Sequence, residues 1–365
     1  MKRHFADENR FKLLQMLDDF ARSEGLSIND ENTVKRFTDH LLETVKKHRD
    51  NPALVHGFRI ESMFAHIAAA MGECKLITEE DSGSFFSLND NIRRPDFRVL
   101  TKGGKQYFIE VKNFHQKKSK PLEPYIMKED YFSTLIEYAK AFDIPLKVAI
   151  YWSRWKLWTL VDSKYFNRDN SELNITLPDA MKRNEMALLG DRMIGTVPPL
   201  SLRIYADTKK PRTVNKNGQV QFAIGNAIIC ARDKEIADDL EKRLAWFFML
   251  YGGWDKVNQP AKIVNGLLDY TEFSVEPEEW DRNQGFAILD FLSKMISSHY
   301  NYLTSNEGKI RQLVPNQQPD KLSILIPDNY KGKVLKLWRF DIKPNYDDIF
   351  KAEALAHKGT AKEST

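Results

Sequence analysis

The chain is poor in cysteine: only Cys74 and Cys230 occur among its 365 residues, far apart in the sequence. Two such residues make neither a disulfide framework nor a zinc site built on paired cysteines, so we expect buried free thiols in a reducing compartment. The longest apolar stretch, Leu244 to Trp254, is shorter than the roughly 20 residues that span a membrane. The first ten residues are charged and lack the apolar core of a secretory signal. These absences favour the cytoplasm and no membrane partner.

Several catalytic motifs are missing as well. The sequence contains no Walker-type phosphate loop, no GxGxxG, no HExxH and no GxSxG. The first two cradle phosphates and the last presents a serine nucleophile. Their absence disfavours ATP hydrolysis by this chain, nicotinamide chemistry and serine hydrolysis.

Positive charge, by contrast, is concentrated in one short window. The whole chain carries a net charge of +4, whereas residues 91–120 hold nine basic and two acidic residues and carry +7. Such a concentration is typical of a site that meets a polyanion. A solvated, lysine-rich loop explains the charge alone equally well.

The composition is that of an ordinary globular protein, with 42% apolar and 29% charged residues. At about 150 residues per domain, the length predicts two or three domains. We expect an α/β fold divided into an N-terminal helical region at 1–52, an α/β domain at 53–165, a linker at 166–200, a C-terminal α+β domain at 201–350 and a flexible tail at 351–365.

Hydrophobic periodicity predicts the elements. Two helices before residue 50 and a third at about 57–71 precede the α/β domain. Its strands are expected at 74–78, 97–100, 106–111, 147–152 and 157–161, with a helix at 129–142. The stretch 165–200 is expected to be irregular. Beyond it we expect strands at 202–206, 220–224, 322–326 and 334–340, and helices at 233–251 and 284–302.

Two acids and a lysine mark the most informative stretch. Pro95-Asp96 is followed by Glu110-Val111-Lys112. Two carboxylates beside a lysine can bind a hard divalent cation through oxygen and place an ammonium next to it. The pattern of acid, any residue, lysine occurs six times in the chain, so spacing alone is not specific. An isolated triplet of this kind is more often a solvated ion-pair cluster.

Strand register gives a sharper test, because alternate side chains of a strand face opposite sides. A two-residue turn at Gly103-Gly104 would direct Asp96 away from Glu110. A three-residue loop from Lys102, with Gly104 at positive φ, places Asp96 opposite Glu110 instead. This second register also gathers the apolar side chains on the other face: Phe97, Val99, Tyr107, Ile109 and Val111. We therefore predict the three-residue loop.

With PD at 95–96 and EVK at 110–112, the stretch resembles the signature of the PD-(D/E)xK nuclease superfamily. The resemblance extends to Glu61 on the preceding helix and to Ser82-Gly83-Ser84. The whole arrangement is similar to the archaeal Holliday-junction-resolvase and restriction-endonuclease-like branches of the superfamily. It covers roughly residues 55–162, under a third of the chain. It implies a mixed β-sheet core flanked by helices, to which the N-terminal helices and a C-terminal α+β domain of unknown role are added.

The resemblance also implies roles for the charged residues. Asp96, Glu110 and the carbonyl of Val111 would ligate Mg²⁺, with Mn²⁺ as a substitute. Lys112 would position or polarise the attacking water and stabilise charge in the transition state. Glu61 would hold a water ligand of the metal or a second ion, although its distance from Asp96 in sequence exceeds that of compact members. The implied reaction is phosphodiester hydrolysis, with DNA favoured over RNA.

Further basic residues are expected to contact nucleic-acid phosphates without reading sequence. They lie before the site, in the loop after it and in a C-terminal loop: Arg94, Lys117, Lys118, Lys120, Lys209, Lys210 and Arg212. Flexible solvated loops are the competing interpretation. Tyr125, Tyr131, Trp152 and Trp158 are assigned to packing rather than to substrate contact.

Other interpretations stay open. The chain could be a catalytically silent nucleic-acid-binding or assembly module that acts with a partner ATPase, nuclease or defence-system subunit. Its C-terminal domain could instead sense a small ligand that activates the nuclease. A homodimer is compatible with the sequence, as are roles in restriction, antiphage defence or DNA processing.

Overall fold

The computed structural model describes residues 1–3, 9–81, 85–322 and 326–349. The predicted tail at 351–365 and the Ser82-Gly83-Ser84 part of the family resemblance lie outside the described residues. Helices and several β-sheets make a mixed α/β fold, as the sequence predicts. Every helix in the described ranges is too short or too polar to cross a membrane.

Three helices begin the chain, as expected: α1 (Asn9–Ser23), α2 (Glu31–Arg49) and α3 (Pro52–Met71). Asp30 caps α2 by accepting a hydrogen bond from the N–H of Asn32. Asn51 caps α3 in the same way, and Pro52 occupies its first turn, so α3 begins five residues before the predicted start. Gly72, at φ 91°, ends α3.

A five-stranded sheet follows. Its region contains β1 (Cys74–Glu79), β2 (Phe97–Thr101), β3 (Gln106–Phe114), β4 (Tyr125–Lys128), α4 (Glu129–Phe142), β5 (Leu146–Trp152) and β6 (Leu157–Asp162). The strand order in the sheet is β1-β2-β3-β5-β6. Only the β3–β5 pair in this sheet is parallel, and α4 makes the crossover between its strands.

The β2–β3 hairpin has the predicted register. Phe97 lies opposite Ile109 and Val99 opposite Tyr107. Gly104 adopts φ 80°, as the three-residue loop requires. This register extends to Asp96 and Glu110, which lie just beyond the paired residues of β2 and on β3 respectively.

Gly104→Ala is expected to lower the free energy of unfolding by about 1 kcal/mol, because a Cβ atom disfavours positive φ. An added Cβ would have no neighbour within 4 Å, so backbone strain is the whole cost. Gly103→Ala is the control: its φ is not positive, and an added Cβ would lie 3.9 Å from Thr101 Oγ1. Urea unfolding measures both variants, and equal losses would contradict the assigned loop.

Two apolar cores lie on opposite faces of the sheet. The face predicted to be apolar packs on α3 through Phe97, Val99 and Ile109. The other face carries Phe108 and packs on α4. Trp158 belongs to the first core and Trp152 to the second, which confirms their assignment to packing.

The stretch predicted to be irregular contains regular structure. It includes β7 (Asn167–Asp169), β8 (Glu172–Ile175), α5 (Leu177–Lys182), β9 (Met193–Thr196) and two 3-10 turns at Ser163–Tyr165 and Met186–Leu189. Pro178 lies in the first turn of α5, where proline is compatible with a helix. β8 pairs with β4, and the partners of β9 are far away in sequence, so local periodicity does not show these strands.

The remaining elements build a second sheet with helices. They are β10 (Leu200–Ala206), β11 (Ile224–Ala231), β12 (Lys234–Glu235), α6 (Asp239–Tyr251), β13 (Lys256–Asn258), β14 (Ala261–Val264), β15 (Leu267–Glu276), β16 (Ala287–Phe291), α7 (Leu292–Thr304), β17 (Ser305–Asn306), β18 (Lys309–Ile310), α8 (Pro319–Leu322) and β19 (Leu337–Phe340). The order β12-β11-β10-β15-β13 forms the second sheet, with β14 also paired to β15. β16, β9 and β19 form a three-stranded sheet.

Four C-terminal predictions need correction. The strand predicted at 220–224 starts only at Ile224, and the helix predicted from 233 starts at Asp239, because Asp238 caps it. The helix predicted at 284–302 is β16 followed by α7. Residue 322 ends a helix rather than beginning a strand, and 323–325 lie outside the described residues. The Asp238 cap sets the start of α6, and pairing of β16 with the distant β9 overrides the helical periodicity of its segment.

One apolar core connects the two sheets. It includes Phe64 of α3, Leu244 of α6 and Met295 of α7. Buried Arg59 of α3 adds hydrogen bonds to Asn301 and Thr304. The division into domains at 166–200 therefore stays a prediction, with substantial contact between the parts it separates.

Candidate active site

Asp96 and Glu110 lie at the N-terminal end of β2, a strand that Asp96 immediately precedes. Asp96 Oδ2 accepts a hydrogen bond from the backbone N–H of Val111 at 2.6 Å. Glu110, the residue before Val111, is only 1% exposed. The predicted hairpin register thus brings both carboxylates to one end of the β2–β3 pair.

Lys112 and Tyr131 contact Glu110 directly. Lys112 Nζ lies 2.6 Å from Glu110 Oε1, and the hydroxyl of Tyr131, from the first turn of α4, donates a hydrogen bond to the same oxygen. Lys112 Nζ also donates to the Tyr131 hydroxyl at 3.1 Å. The three side chains form a closed triangle that fixes the position of the ammonium.

The surroundings of Asp96 disfavour the ionised form of its carboxyl group. Burial and the charge of Glu110 raise the pKa of Asp96 to about 8, although the hydrogen bond from Val111 acts in the opposite direction. Glu61 contributes in the same sense as Glu110. Two carboxylates held together in this way favour either a shared proton or a bound cation.

Lys112 and Tyr131 both keep their protons at neutral pH. Burial alone would lower the pKa of Lys112, but the charge of Glu110 and the hydrogen bond to its carboxylate outweigh burial and raise that pKa, and Tyr131 acts in the same direction. Burial, followed by the charge of Glu110, raises the pKa of Tyr131 to about 12. Both groups can therefore donate hydrogen bonds, and neither is suited to accept a proton as a base.

Two further acids surround the pair. Glu61, on α3, is half-buried, and burial followed by the charge of Asp81 raises its pKa. Asp81 follows β1 at the exposed rim; partial burial raises its pKa, and Glu110 adds to the effect. Since Lys112 and Glu110 also act on Glu61, the structure brings all four sequence-predicted side chains into one electrostatic group.

A divalent cation fits the chemistry of this donor set, because carboxylate oxygens are hard ligands and their repulsion raises the pKa of Asp96. In the ranges that the structure describes, however, no three His, Cys, Asp or Glu side chains are arranged to hold a metal ion. Glu110 Oε1 already bonds Lys112 and Tyr131. A cation would need to use the other carboxylate oxygen or displace these partners.

The basic residues after the site lie on a structured loop. Lys117, Lys118 and Lys120 are exposed. Buried Gln116 anchors the loop by donating to the carbonyls of Pro121 and Glu123 and accepting from the indole of Trp155. This anchoring disfavours the interpretation that the loop is freely flexible.

Arg94 lies closer to the site. It is half-buried, its guanidinium lies 4.8 Å from the ring centroid of Phe85, and its charge lowers the pKa of Asp81. Arg94 is thus placed where an anion that approaches the carboxylates would meet it.

The C-terminal basic residues are elsewhere. Lys209 and Lys210 are exposed on the β10–β11 connection of the second sheet. Arg212 donates to the carbonyl of Leu268 at 2.7 Å, so its guanidinium helps hold this connection. Lys209, Lys210 and Arg212 belong to the β10–β11 connection of the second sheet, whereas Asp96 and Glu110 belong to the five-stranded sheet.

Tyr131 and Asp81 are the residues that sequence reasoning missed. Tyr131 packs against the α4-side core, as assigned, but its hydroxyl also bonds both Glu110 and Lys112, which the sequence did not predict. The apolar periodicity of α4 does not indicate this contact of the Tyr131 hydroxyl, because Tyr131 lies beside the apolar stripe of the helix rather than in it. Tyr125 is buried in the α4-side core, which confirms its assignment to packing.

Tyr131→Phe is expected to lower the free energy of unfolding by about 2 kcal/mol, since it removes a hydrogen bond to a buried charged carboxylate. Tyr125→Phe is the matched control, because the Tyr125 hydroxyl bonds neither Glu110 nor Lys112. Urea denaturation at pH 7 in EDTA measures both. A Tyr131→Phe variant as stable as Tyr125→Phe would mean that the triangle does not exist in solution.

Comparison with known proteins gives little more. No protein-family model matches the chain, and no curated protein sequence does. One similar solved structure is a Holliday junction resolvase from the archaeal hyperthermophile Archaeoglobus fulgidus, at 19% identity over 31% of this chain and 84% of that chain, with a TM-score of 0.25. A similarity of this size does not establish a shared fold.

Proposed function

We propose that the chain is a metal-dependent nuclease that hydrolyses phosphodiester bonds in DNA, built on a restriction-endonuclease-like core. The observation that carries the proposal is the juxtaposition of Asp96, Glu110 and Lys112 by one hairpin register. A merely solvated ion-pair cluster would not need a carboxylate that is 1% exposed. The family resemblance of the PD and EVK segments points to the same chemistry.

In this proposal Asp96, Glu110 and the carbonyl of Val111 hold Mg²⁺ or Mn²⁺. A bound divalent cation supplies Lewis-acid activation of phosphate and of water. Lys112, protonated and held by Tyr131, donates a hydrogen bond to the charge that develops on the phosphate oxygens. Glu61, whose pKa the charge of Asp81 raises, would hold a water ligand of the metal or a second ion.

Charge around the site favours a polyanionic substrate. Arg94, Lys117, Lys118 and Lys120 would contact phosphates, and Lys209, Lys210 and Arg212 would add contacts from the second sheet. DNA is proposed over RNA, with a cytoplasmic role in restriction, antiphage defence or DNA processing. A homodimer and a partner ATPase or defence-system subunit remain part of the proposal.

One observation favours a second candidate function. Lys112 and Tyr131 bond Glu110 without a metal, so this carboxylate has partners as it stands. A catalytically silent nucleic-acid-binding or assembly module would need these bonds to Glu110 and no bound metal.

Thermal unfolding with 10 mM Mg²⁺ or Mn²⁺ distinguishes the two functions. At ten times the dissociation constant, a metal adds about 1.4 kcal/mol of stability, which corresponds to a rise of about 2 °C in Tm. We expect this rise in the wild type and its loss in Glu110→Gln. Glu137→Gln is the control and should keep the rise, because Glu137 is a half-exposed acid on α4 that pairs with Lys140. No metal effect in the wild type would favour the silent module.

A further inference from the structure

A short apolar tip lies between β1 and the site. Phe86 and Leu88 are fully exposed, at 103% and 108%, and Phe85 is 44% exposed. Large apolar side chains presented in this way are costly in water and mark a contact surface when they are grouped. The tip, defined here as Phe85 to Leu88, ends eight residues before Asp96.

The tip continues into an anchored segment. Asn89 N–H donates to Ser87 Oγ at 3.0 Å, and Asn91 N–H donates to Asn89 Oδ1 at 2.9 Å. Ile92 then packs on the α4-side core, and Arg93 N–H donates to the carbonyl of Thr134. These contacts fix the base of the segment and leave the two apolar side chains projecting.

Positive charge connects the tip to the site. The Arg94 guanidinium lies 4.8 Å from the Phe85 ring centroid. The Arg93 guanidinium lies 4.9 Å from the ring centroid of Tyr131, whose hydroxyl bonds Glu110. A ligand that covers the tip therefore meets two guanidinium groups and the rim of the carboxylate cluster.

We propose that Phe86 and Leu88 contact unstacked nucleobases of DNA while Arg93 and Arg94 contact the adjoining phosphates, so that the enzyme prefers interrupted over continuous duplex. The inference rests on the proposed function. Aromatic and aliphatic side chains next to cations stack on exposed bases or wedge between them. A second protein copy is a poorer occupant, because two side chains bury far less than the roughly 800 Å² per partner of a stable interface.

The test compares binding of two fluorescent DNA probes by the full chain in Ca²⁺: a continuous 30-base-pair duplex and the same duplex with a three-nucleotide mismatch bubble. We expect the wild type to prefer the bubble by about tenfold, a ratio that stacking of one base supplies. Phe86→Ala/Leu88→Ala should bind both probes equally. Leu250→Ala/Ile263→Ala, which removes two exposed apolar side chains remote in sequence, should keep the preference.

Three results would overturn the inference: equal binding of both probes by the wild type, an unchanged preference in Phe86→Ala/Leu88→Ala, or a dimer that this variant converts to a monomer in sedimentation velocity. Plasmid cleavage in Mn²⁺ by the wild type and Glu110→Gln is measured in parallel. If the wild type cleaves but Phe86→Ala/Leu88→Ala keeps the preference for the bubble, the role of the tip is rejected and the nuclease is not. If this variant loses the preference but the wild type does not cleave, the tip is kept as a base contact and the nuclease is rejected.

Discussion

Lys112→Met is expected to lower the DNA cleavage rate by about 10² to 10³. The ammonium lies 2.6 Å from Glu110 Oε1 and is protonated at neutral pH, so it can stabilise negative charge beside the carboxylates. Loss of one such donor to a transition state has an effect of this size. The rate is measured on supercoiled plasmid at saturating Mn²⁺, with binding of the same DNA followed separately.

Stability must be controlled in this experiment. Removal of Lys112 leaves Glu110 buried without its counter-charge and costs up to about 3 kcal/mol. The double variant Glu110→Gln/Lys112→Met removes both charges and should regain much of that stability while it stays inactive. Lys105→Met, an exposed lysine at the other end of the same hairpin, should cleave like the wild type. Cleavage by Lys112→Met at the wild-type rate would place the chemistry elsewhere.

Asp96→Asn is expected to stabilise the metal-free protein at pH 8. The pKa of Asp96 is about 8 in the folded chain, against about 4 for an ordinary aspartate. Between these values the folded chain binds a proton that the unfolded chain has lost, so stability falls as pH rises from about 4 to about 8. Asparagine cannot ionise, and its carbonyl oxygen can still accept from Val111 N–H.

The expected gain is about 3 kcal/mol at pH 8 in EDTA, since one pKa unit corresponds to about 1.4 kcal/mol and neighbouring acids share the effect. At pH 4 the variant and the wild type should be nearly equal. Urea unfolding at both pH values measures the difference. A variant less stable than the wild type at pH 8 would show that Asp96 is not held against Glu110.

The hairpin could be predicted from the sequence because two independent requirements agree on one register. The apolar set from Phe97 to Val111 demands one face, and the turn at Gly104 demands a residue that tolerates positive φ. Both are local properties of about 15 residues. The core of the α/β domain follows for the same reason, since its helices and strands have strong periodicity.

The rest depends on distant partners. Tyr131 meets Glu110 only because the crossover of α4 returns across the sheet, which its own stripe does not reveal. β9 pairs with β16, almost 100 residues further on, so its segment looks irregular in isolation. The position of Asp81 near the site is set by the path of the chain after β1, and Asp81 belongs to no sequence motif that would have indicated it.

A crystal structure with Mn²⁺, in which anomalous scattering locates the ion, shows directly whether Asp96 and Glu110 bind one cation. We expect one peak in contact with carboxylate oxygens of both Asp96 and Glu110, with Lys112 Nζ beside it. A peak that contacts neither residue, or side chains of Asp96 and Glu110 turned to opposite faces of the sheet, would contradict this expectation.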